Sequence, residues 1–334
     1  MKRPTSDKTF VVIGSNCFTG SHIVDALLDN PDHRVIGVSR SPEYHSIFLP
    51  YKRRRSPNFV FHQIDLVRGF DALAKVLDKE EPSVVVNAAA LSEVALSNER
   101  PVEYFETNTV GIVRLCNFLR TRPYLKRYVH ISSAEILGSC DTPAAEDALF
   151  NPSTPYAVSK AATDQYLNTL IMNFAFPASL IRSTNVYGRH QQLFKIIPRT
   201  VIYIKQGKTI ELHGSGTSMK SFIHVRDVVR GVMLAIERGH SGTYHFTMLS
   251  DQTVADVVRF VCQAMGKDFE RVTRVVGERL GQDARYWLDC RKAQRELGWQ
   301  AQIPFDQGVR EVIDWIESNW ETVVREPHVY IHKA

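Results

Sequence analysis

The sequence of 334 residues has few cysteines and no long apolar run. Its five cysteines are scattered and form no C-x-x-C pair, which predicts reduced thiols rather than a disulfide framework. The first apolar run, residues 10–13, is too short for a signal peptide or a membrane span. Internal repeats and low-complexity segments are also absent. We therefore expect a globular protein of the cytoplasm without a membrane partner.

Positively charged residues only slightly outnumber negatively charged ones. A formal net charge of +5 suits an anionic small molecule and does not indicate a nucleic-acid partner. The one basic run, residues 52–55, lies between two prolines. We interpret it as a solvated loop, with a phosphate-binding patch as the alternative. Because His190, His213 and His224 lack metal-ligand spacing, we expect no metal.

Residues 9–13 form a β-branched run that predicts a buried strand, and a helix is predicted over 21–28. Between them the spacing from Gly14 to Gly20 is G-x-x-x-x-x-G. Cys17 stands where a middle glycine would give the pattern G-x-x-G-x-x-G. A glycine-rich turn lets the backbone approach a pyrophosphate, which the following helix N-terminus then binds. We interpret the turn as a dinucleotide-binding loop; a plain tight turn is the alternative.

Strands and helices alternate through residue 186. Further strands are predicted over 35–38, 59–64, 83–86, 128–131 and 179–181, and helices over 70–77 and 101–120. This alternation predicts an α/β fold with a Rossmann-type doubly wound parallel sheet. We assign residues 1–186 and about 218–240 to an NAD(P)-binding domain. Residues 187–217 and 241–334 then form a smaller C-terminal α/β lobe that binds the substrate in a cleft between the two parts.

The end of the second strand bears on the choice of cofactor. It carries Ser39 and Arg40, with no carboxylate before Glu43. An acidic residue at this place accepts a ribose 2′-hydroxyl, whereas an arginine can pair with a 2′-phosphate. The residues therefore favour NADP over NAD, although an arginine stacked on adenine would serve NAD equally well.

Tyr156 and Lys160 stand four residues apart at the start of a helix predicted over 157–174, so they share one face. An ammonium group beside a phenol favours the phenolate and should lower the pKa of Tyr156. Such a phenol can act as a base on a substrate hydroxyl near neutral pH. For the pair alone, an ordinary exposed helix start is the alternative.

Taken in order, these motifs resemble the extended short-chain dehydrogenase/reductase family, and within it the nucleotide-sugar 4,6-dehydratases of the dTDP-glucose type. The resemblance runs from about Thr9 to Trp320. The segments that carry it are residues 14–20, 87–90, 132–138, 156–160, 185–188, 195–198, 222–227 and 297–299.

The resemblance implies a tightly bound nicotinamide cofactor and a nucleotide-diphosphate sugar. It implies that Tyr156 takes the proton of the sugar 4-hydroxyl, Lys160 holds the nicotinamide ribose and Ser133 bonds the 4-oxygen. Glu135 would remove the C5 proton, which the 4-ketone acidifies. Family members of this type pack as homodimers through the helices near 101–120 and 157–174.

Two sets of binding residues follow from the strand ends and from the resemblance. At the cofactor we expect Gly14, Asn16, Phe18, Thr19, Gly20, Ser39, Arg40, Asp65, Leu66, Asn87, Ala88, Ala89, Asn108, Ser132, Tyr156 and Lys160. At the substrate we expect Ser92, Ser133, Asn185, Lys195, Ile196, His213, Lys220, Arg279 and Arg285.

The chain departs from the dehydratase pattern at three positions. Ala134 replaces the aspartic acid that protonates the leaving 6-hydroxyl, so Glu135 would have to deliver that proton itself. Leu137 stands where tyrosine is usual, and Lys220 where arginine commonly clamps the diphosphate. A 4-epimerase or a decarboxylase of the same family is the alternative, and a non-catalytic NADP-sensing protein is another. The intact Ser133, Tyr156 and Lys160 argue against the sensor.

Overall fold

The computed structural model describes residues 8–248, 252–277, 285 and 287–332. Apolar, β-branched runs form the strands in these ranges. They are β1 (Lys8–Ile13), β2 (His33–Ser39), β3 (Phe59–Gln63), β4 (Val84–Asn87), β5 (Arg127–Ile131), β6 (Ala178–Ser183), β7 (Asn185–Tyr187), β8 (Ile210–His213), β9 (Met219–Lys220), β10 (Phe222–His224), β11 (Gly242–Phe246), β12 (Gln252–Thr253) and β13 (Thr273–Val276).

The helices alternate with the strands of the N-terminal part and dominate the C-terminal part. They are α1 (Phe18–Leu27), α2 (Phe70–Glu80), α3 (Val94–Ser97), α4 (Pro101–Phe105), α5 (Gly111–Leu119), α6 (Pro155–Phe174), α7 (Ile196–Lys205), α8 (Val225–Arg238), α9 (Val254–Ala264), α10 (Phe269–Val272), α11 (Arg291–Leu297), α12 (Phe305–Ser318) and α13 (Trp320–Val323).

Seven strands form one parallel sheet in the order β11-β6-β5-β4-β1-β2-β3. Its central strands are apolar on both faces because helices cover both sides. Helices α1, α8 and α11 pack on one face, and α2, α5 and α6 pack on the other. The predicted doubly wound α/β fold is therefore confirmed, and the carboxyl ends of its strands meet at one edge, where such sheets bind ligands.

The last strand of the sheet lies outside the range that the sequence assigned to the cofactor-binding part. Strand β11 pairs in parallel with β6, with Gly242 opposite Ser179 and Phe246 opposite Ser183. Trp299 packs in the same core, with its ring centroid 4.6 Å from that of Phe246. Residues 242–246 therefore belong to the sheet, because their apolar side chains fill the core beneath α8 and α11.

A second apolar core holds the smaller part of the molecule together. It joins α7, α9 and α12, whose buried side chains include Val201, Val258 and Val312. The parallel pair β8–β13 lies beside it. In the described ranges, no helix combines the length and apolar character that crossing a membrane requires.

The helix predicted over 101–120 is interrupted. Between α4 and α5, residues 106–110 form a π-helical turn, which widens the helix by one residue locally. The turn carries Thr107 to one side and the buried Asn108 to the other. Sequence periodicity does not report such a turn.

Candidate active site

The turn after β1 requires both of its glycines. Gly14 has a φ of +85°, and a Cβ there would lie 2.5 Å from the backbone nitrogen of Ala89. A Cβ on Gly20 would lie 2.2 Å from the Gly14 carbonyl oxygen. Cys17 has extended backbone, and its sulfur caps α1 by accepting from the Gly20 N–H at 3.2 Å. A cysteine therefore fits where a middle glycine was expected.

This turn opens onto a cleft of about 410 Å³ at the carboxyl edge of the sheet. Both the predicted cofactor residues and the predicted substrate residues contribute to its walls. Of the predicted set, the cleft is lined by Gly14, Asn16, Phe18, Ser39, Arg40, Asp65, Leu66, Ala89, Ser92 and Lys195.

The residues around the cleft fit a dinucleotide. The glycine turn packs closely against the backbone at Ala89 and lines the cleft through Gly14, Asn16, Cys17 and Phe18. At the ends of β4 and β5, Asn87 Oδ1 and Ser132 Oγ are buried and have no hydrogen-bond partner within the described part of the chain. Buried polar atoms are normally paired, so the Ser132 hydroxyl indicates a polar ligand beside it, whereas Asn87 can turn its amide oxygen to the His130 Nδ1–H. The helix α1 N-terminus faces the same turn, as a pyrophosphate requires.

Polar contacts fix the adenosine end of the cleft. The Asn16 backbone N–H donates to Ser39 Oγ at 2.9 Å, and the Asn16 side chain donates to the carbonyl oxygens of Ser41 and Pro42. Asp65 Oδ1 accepts from two backbone N–H groups, and its Oδ2 lies 4.0 Å from Arg40 Nε. Arg40 therefore lies where the adenosine ribose is predicted to bind, with the Asp65 carboxylate beside it.

Asn108 does not reach the cleft. Its amide accepts from Leu91 N at 2.9 Å and donates to Leu91 O and Ser159 Oγ, both at 3.0 Å. It thus fixes the loop after β4 and joins it to α6, and Thr107 lines the cleft instead. The π-helical turn directs the Asn108 side chain to Leu91 and Ser159, so Asn108 supports the cleft through the loop after β4, and its direct contact with the cofactor stays a prediction.

Several cleft residues carried no sequence signal. His190 and Phe194 line the cleft from the middle of the chain, and Glu326, Pro327, Val329, Tyr330 and Ile331 line it from the C-terminal segment. The Tyr330 ring packs edge-on against Phe194 with centroids 5.3 Å apart. His332 continues this segment and bonds Glu103 at 2.6 Å. Only the three-dimensional fold brings these residues to the cofactor side, so motif spacing could not have found them.

The predicted catalytic pair, Tyr156 and Lys160, is held at the start of α6. The Thr154 hydroxyl caps this helix by accepting from the Ala157 N–H at 3.2 Å, and Pro155 takes the first helical position. Tyr156 and Lys160 then lie one turn apart, both buried. Leu91 lines the cleft and also packs against Tyr156, so the pair adjoins the cleft.

The electrostatics of Tyr156 differ from the prediction. Burial raises the pKa of its hydroxyl, and the Glu135 carboxylate raises it further, while a hydrogen bond with the Ser133 side chain acts in the opposite direction. Lys160 does not lower it in this structure. The Tyr156 hydroxyl, the Ser133 side chain and the Glu135 carboxylate nevertheless lie close enough to interact, as the motifs predicted.

The Lys160 ammonium is directed elsewhere. It donates to the Ile131 carbonyl oxygen at 2.8 Å and to His130 Nε2 at 3.1 Å. Burial lowers the pKa of Lys160 to about 8, and Asp164 opposes that shift. Burial and the lysine charge hold the pKa of His130 well below its usual range, so the imidazole is neutral and accepts this hydrogen bond. His130 is a neighbour of the catalytic lysine that the sequence did not reveal.

Glu135 lies half-buried in the short turn Ala134–Leu137. Its backbone N–H donates to Ser133 Oγ at 3.2 Å. Ala134 is buried in an apolar cluster with Ile136 and Leu137. The position of the usual acid is therefore packed with hydrocarbon, and Glu135 is the carboxylate at this end of β5.

The predicted substrate residues divide into two groups. Lys195 stands at the cleft with its Nζ 3.3 Å from Glu93 Oε2, and Ser92 lines the same wall. Arg279 lies outside the described residues. The remaining six do not line this cleft: Ser133 lies after β5 beside Glu135, Asn185 donates to Ser221 O, Ile196 packs on the lobe core, His213 bonds Gly277 O, Lys220 lies in β9, and Arg285 stacks on Trp287.

A family model for the NAD dependent epimerase/dehydratase family matches residues 10–246. The chain belongs to this family. The match spans the sheet, the glycine turn and the catalytic pair, so the resemblance drawn from the motifs is confirmed.

Relatives of this epimerase/dehydratase include dTDP-glucose 4,6-dehydratases. That of Haemophilus influenzae is 29% identical over 327 residues, covering 91% of this chain and 96% of its own. The solved structure of DesIV, the Streptomyces venezuelae dTDP-glucose 4,6-dehydratase with NAD bound, is 28% identical with a TM-score of 0.87, covering 94% and 98%. A Thermotoga maritima UDP-glucose 4-epimerase, at 23% identity and a TM-score of 0.85 over 93% and 99%, shows that the fold is shared.

Proposed function

We propose that this family member is a nucleotide-sugar 4,6-dehydratase, which oxidises C4, removes the C5 proton and eliminates water from C6. The observation that carries the proposal is the Glu135 carboxylate beside the hydroxyls of Tyr156 and Ser133. Oxidation at C4 needs only the hydroxyls and Lys160, whereas elimination needs a carboxylate as well. The likeness to dTDP-glucose 4,6-dehydratases supports the same reaction class.

The residues of the cleft would hold a nicotinamide dinucleotide, whose chemistry when bound is to accept hydride from C4 and return it to C6. Gly14, Asn16 and Gly20 would hold its pyrophosphate. Tyr156 takes the proton of the 4-hydroxyl, and Ser133 donates to the 4-oxygen. Lys160 would hold the nicotinamide ribose of the bound cofactor, whose positively charged ring would favour the Tyr156 phenolate as base.

The 4-ketone makes the C5 hydrogen acidic, because the carbonyl oxygen takes up the negative charge left at C5. Glu135 removes this proton. Since Ala134 offers no proton, the protonated Glu135 then delivers one to the departing 6-hydroxyl. The 6-hydroxyl leaves as water. Once hydride returned to C6, C5 would take up a proton that Glu135 relays from solvent, and Tyr156 would release to solvent the proton that it took from the 4-hydroxyl, so both groups end as they began.

A 4-epimerase is the second candidate, because the acid position is filled by the buried Ala134. The two reactions give different products from the same substrates. Purified protein should be incubated with UDP-, dTDP-, GDP- and CDP-hexoses in turn, and treated with alkali. A band at 320 nm would report a 4-keto-6-deoxy sugar, whereas an inverted C4 without the band would move the assignment to an epimerase.

Arg40 supports a preference for NADP. Its ion pair with Asp65 engages Nε at the long distance of 4.0 Å, so the guanidinium remains half-exposed at the cleft wall. An arginine so placed can pair with a 2′-phosphate. The affinities of cofactor-stripped protein for NAD and NADP test this, with Arg40→Gln expected to weaken NADP binding alone. If extracted cofactor is wholly NAD, stacking on adenine is the role of Arg40.

Exposed apolar side chains support a homodimer through α4, α6 and the π-helical turn. Half of the ten large apolar side chains exposed in the described part of the chain lie there: Val102, Val110, Val158, Met172 and Phe174. Apolar surface concentrated in one place is typical of a protein interface. All five cysteines are free thiols, which supports a reducing compartment such as the cytoplasm.

A further inference from the structure

A second cavity, of about 440 Å³, lies next to the cofactor cleft. It opens to solvent and is lined by α1, the 3₁₀ turn Pro50–Arg53, the loop after β7, the N-terminus of α8 and one side of α12. Four arginines line it: Arg53, Arg54, Arg189 and Arg226. Two of them come from the basic run at residues 52–55, so this run is not simply a solvated loop.

The positive charges in this cavity exceed the negative ones. Arg54 is already paired with Asp25 at 2.5 Å and Asp29 at 2.7 Å. Glu311 is the acid that the other arginines share, at 2.5 Å from Arg226 and 3.9 Å from Arg189.

Arg53 bonds the His190 imidazole, and within the described residues it forms no ion pair with a carboxylate. Arg53, Arg189 and Arg226 therefore face a single carboxylate. The cavity retains a net positive charge that an anionic ligand could balance.

Three histidines form the inner wall. Burial is the main cause that lowers the pKa of His22 and His190 to about 4 and that of His224 to about 3, so all three are neutral at pH 7. His224 Nδ1 accepts from the Arg226 N–H at 3.2 Å, which leaves the proton on Nε2.

That Nε2 has no hydrogen-bond partner within the described part of the chain, and the residue is 2% exposed. Glu311 Oε2 lies 3.7 Å away, beyond hydrogen-bond range. A buried N–H donor without an acceptor costs free energy unless a ligand supplies the acceptor.

We propose that this cavity binds the phosphoryl group of a small anionic ligand. Guanidinium groups match phosphate oxygens in pairs, and the N-terminus of α8 adds a favourable dipole at the same wall. A cavity of about 440 Å³ suits a small molecule better than a polymer laid across an open surface. The ligand would replace the Glu311 carboxylate as acceptor for the arginines and satisfy His224.

The site is separate from the cofactor cleft but shares a wall with it. His190 lines both cavities, and its ring lies 5.5 Å from that of His22. His22 in turn lies edge-on to Phe18, which lines the cofactor cleft, with centroids 5.0 Å apart. The cofactor must therefore be present at saturation when binding to the second site is measured.

The test is titration calorimetry of the full chain with inorganic phosphate at constant ionic strength, after saturation with cofactor and with the nucleoside diphosphate of the sugar nucleotide that it turns over. Arg226→Gln and Arg53→Gln should each weaken phosphate binding by about tenfold, the usual worth of one charge-assisted hydrogen bond. Glu311→Gln should tighten it, because the competing carboxylate is gone. Arg291→Gln is the matched control: Arg291 also opens a helix and lies 2.5 Å from a carboxylate, that of Asp289, but lies outside the cavity.

Each outcome decides the proposal. One phosphate site that weakens in the two cavity variants, tightens in Glu311→Gln and is unchanged in the control supports it. No saturable binding, or binding that the cavity variants leave unchanged, overturns it. Binding of a single-stranded oligonucleotide that phosphate cannot displace would overturn the small-ligand assignment. Melting temperatures of all variants show whether each is folded. Glu311→Gln is expected to bind phosphate more tightly, a result that misfolding cannot produce.

Discussion

Replacing Glu135 by glutamine separates the two halves of the proposed reaction. The backbone N–H of residue 135, which bonds Ser133 Oγ, survives the change, so the turn should keep its shape. The carboxylate also raises the pKa of Tyr156, and its removal should therefore leave the first oxidation at least as easy. Proton removal from C5 loses its base.

Loss of a general base typically slows a reaction by about a hundred- to ten-thousand-fold, or roughly 3 to 5 kcal/mol of barrier. Turnover should fall by that factor, while reduced cofactor accumulates at 340 nm after mixing with the sugar nucleotide. Solvent deuterium should enter C5 of the product in the wild type and not in the variant. Glu270→Gln, at a carboxylate that is 81% exposed, is the control. Wild-type turnover in the Glu135 variant would refute the assigned role.

Four other changes test other parts of the structure. Tyr156→Phe should abolish oxidation at C4 while cofactor stays bound, whereas Tyr104→Phe, at a ring packed beside it, should retain activity; equal loss in both would point to packing instead. Gly14→Ala should abolish cofactor retention, measured on the purified protein, because the added Cβ lies 2.5 Å from backbone. Asp164→Ala leaves a fully buried arginine unpaired and should cost about 3 to 5 kcal/mol in urea unfolding; a loss below about 1 kcal/mol would contradict this. Phe174→Glu should convert a dimer to a monomer in sedimentation, and an unchanged dimer would exclude this face.

The sequence predicted those features that depend on local periodicity and on the order of motifs. The apolar runs of β1 and β4 are buried on both faces, so each reads as a strand. Gly14 and Gly20 stand where backbone atoms approach too closely for a side chain. Tyr156 and Lys160 needed only helical spacing to be placed together.

Long-range packing supplied what the sequence could not. The direction of the Lys160 ammonium, on α6, depends on His130 and on the Ile131 carbonyl, which come from β5. Asn108 appeared suited to the cofactor, but the π-helical turn sends it to Leu91 instead. The contact of Arg53 with His190 joins residues 137 positions apart, so no local pattern announces it.

The position of β11 at the end of the sheet has a consequence for how the chain folds. During synthesis β6 is complete well before its outer neighbour, because β7 to β10 and the whole of α7 and α8 are made between them. Until residues 242–246 arrive, β6 is an unpaired edge of apolar backbone, which is a surface prone to aggregation. A fragment ending at residue 240 would keep that edge permanently, so we expect it to be insoluble even though it contains the glycine turn and the catalytic pair.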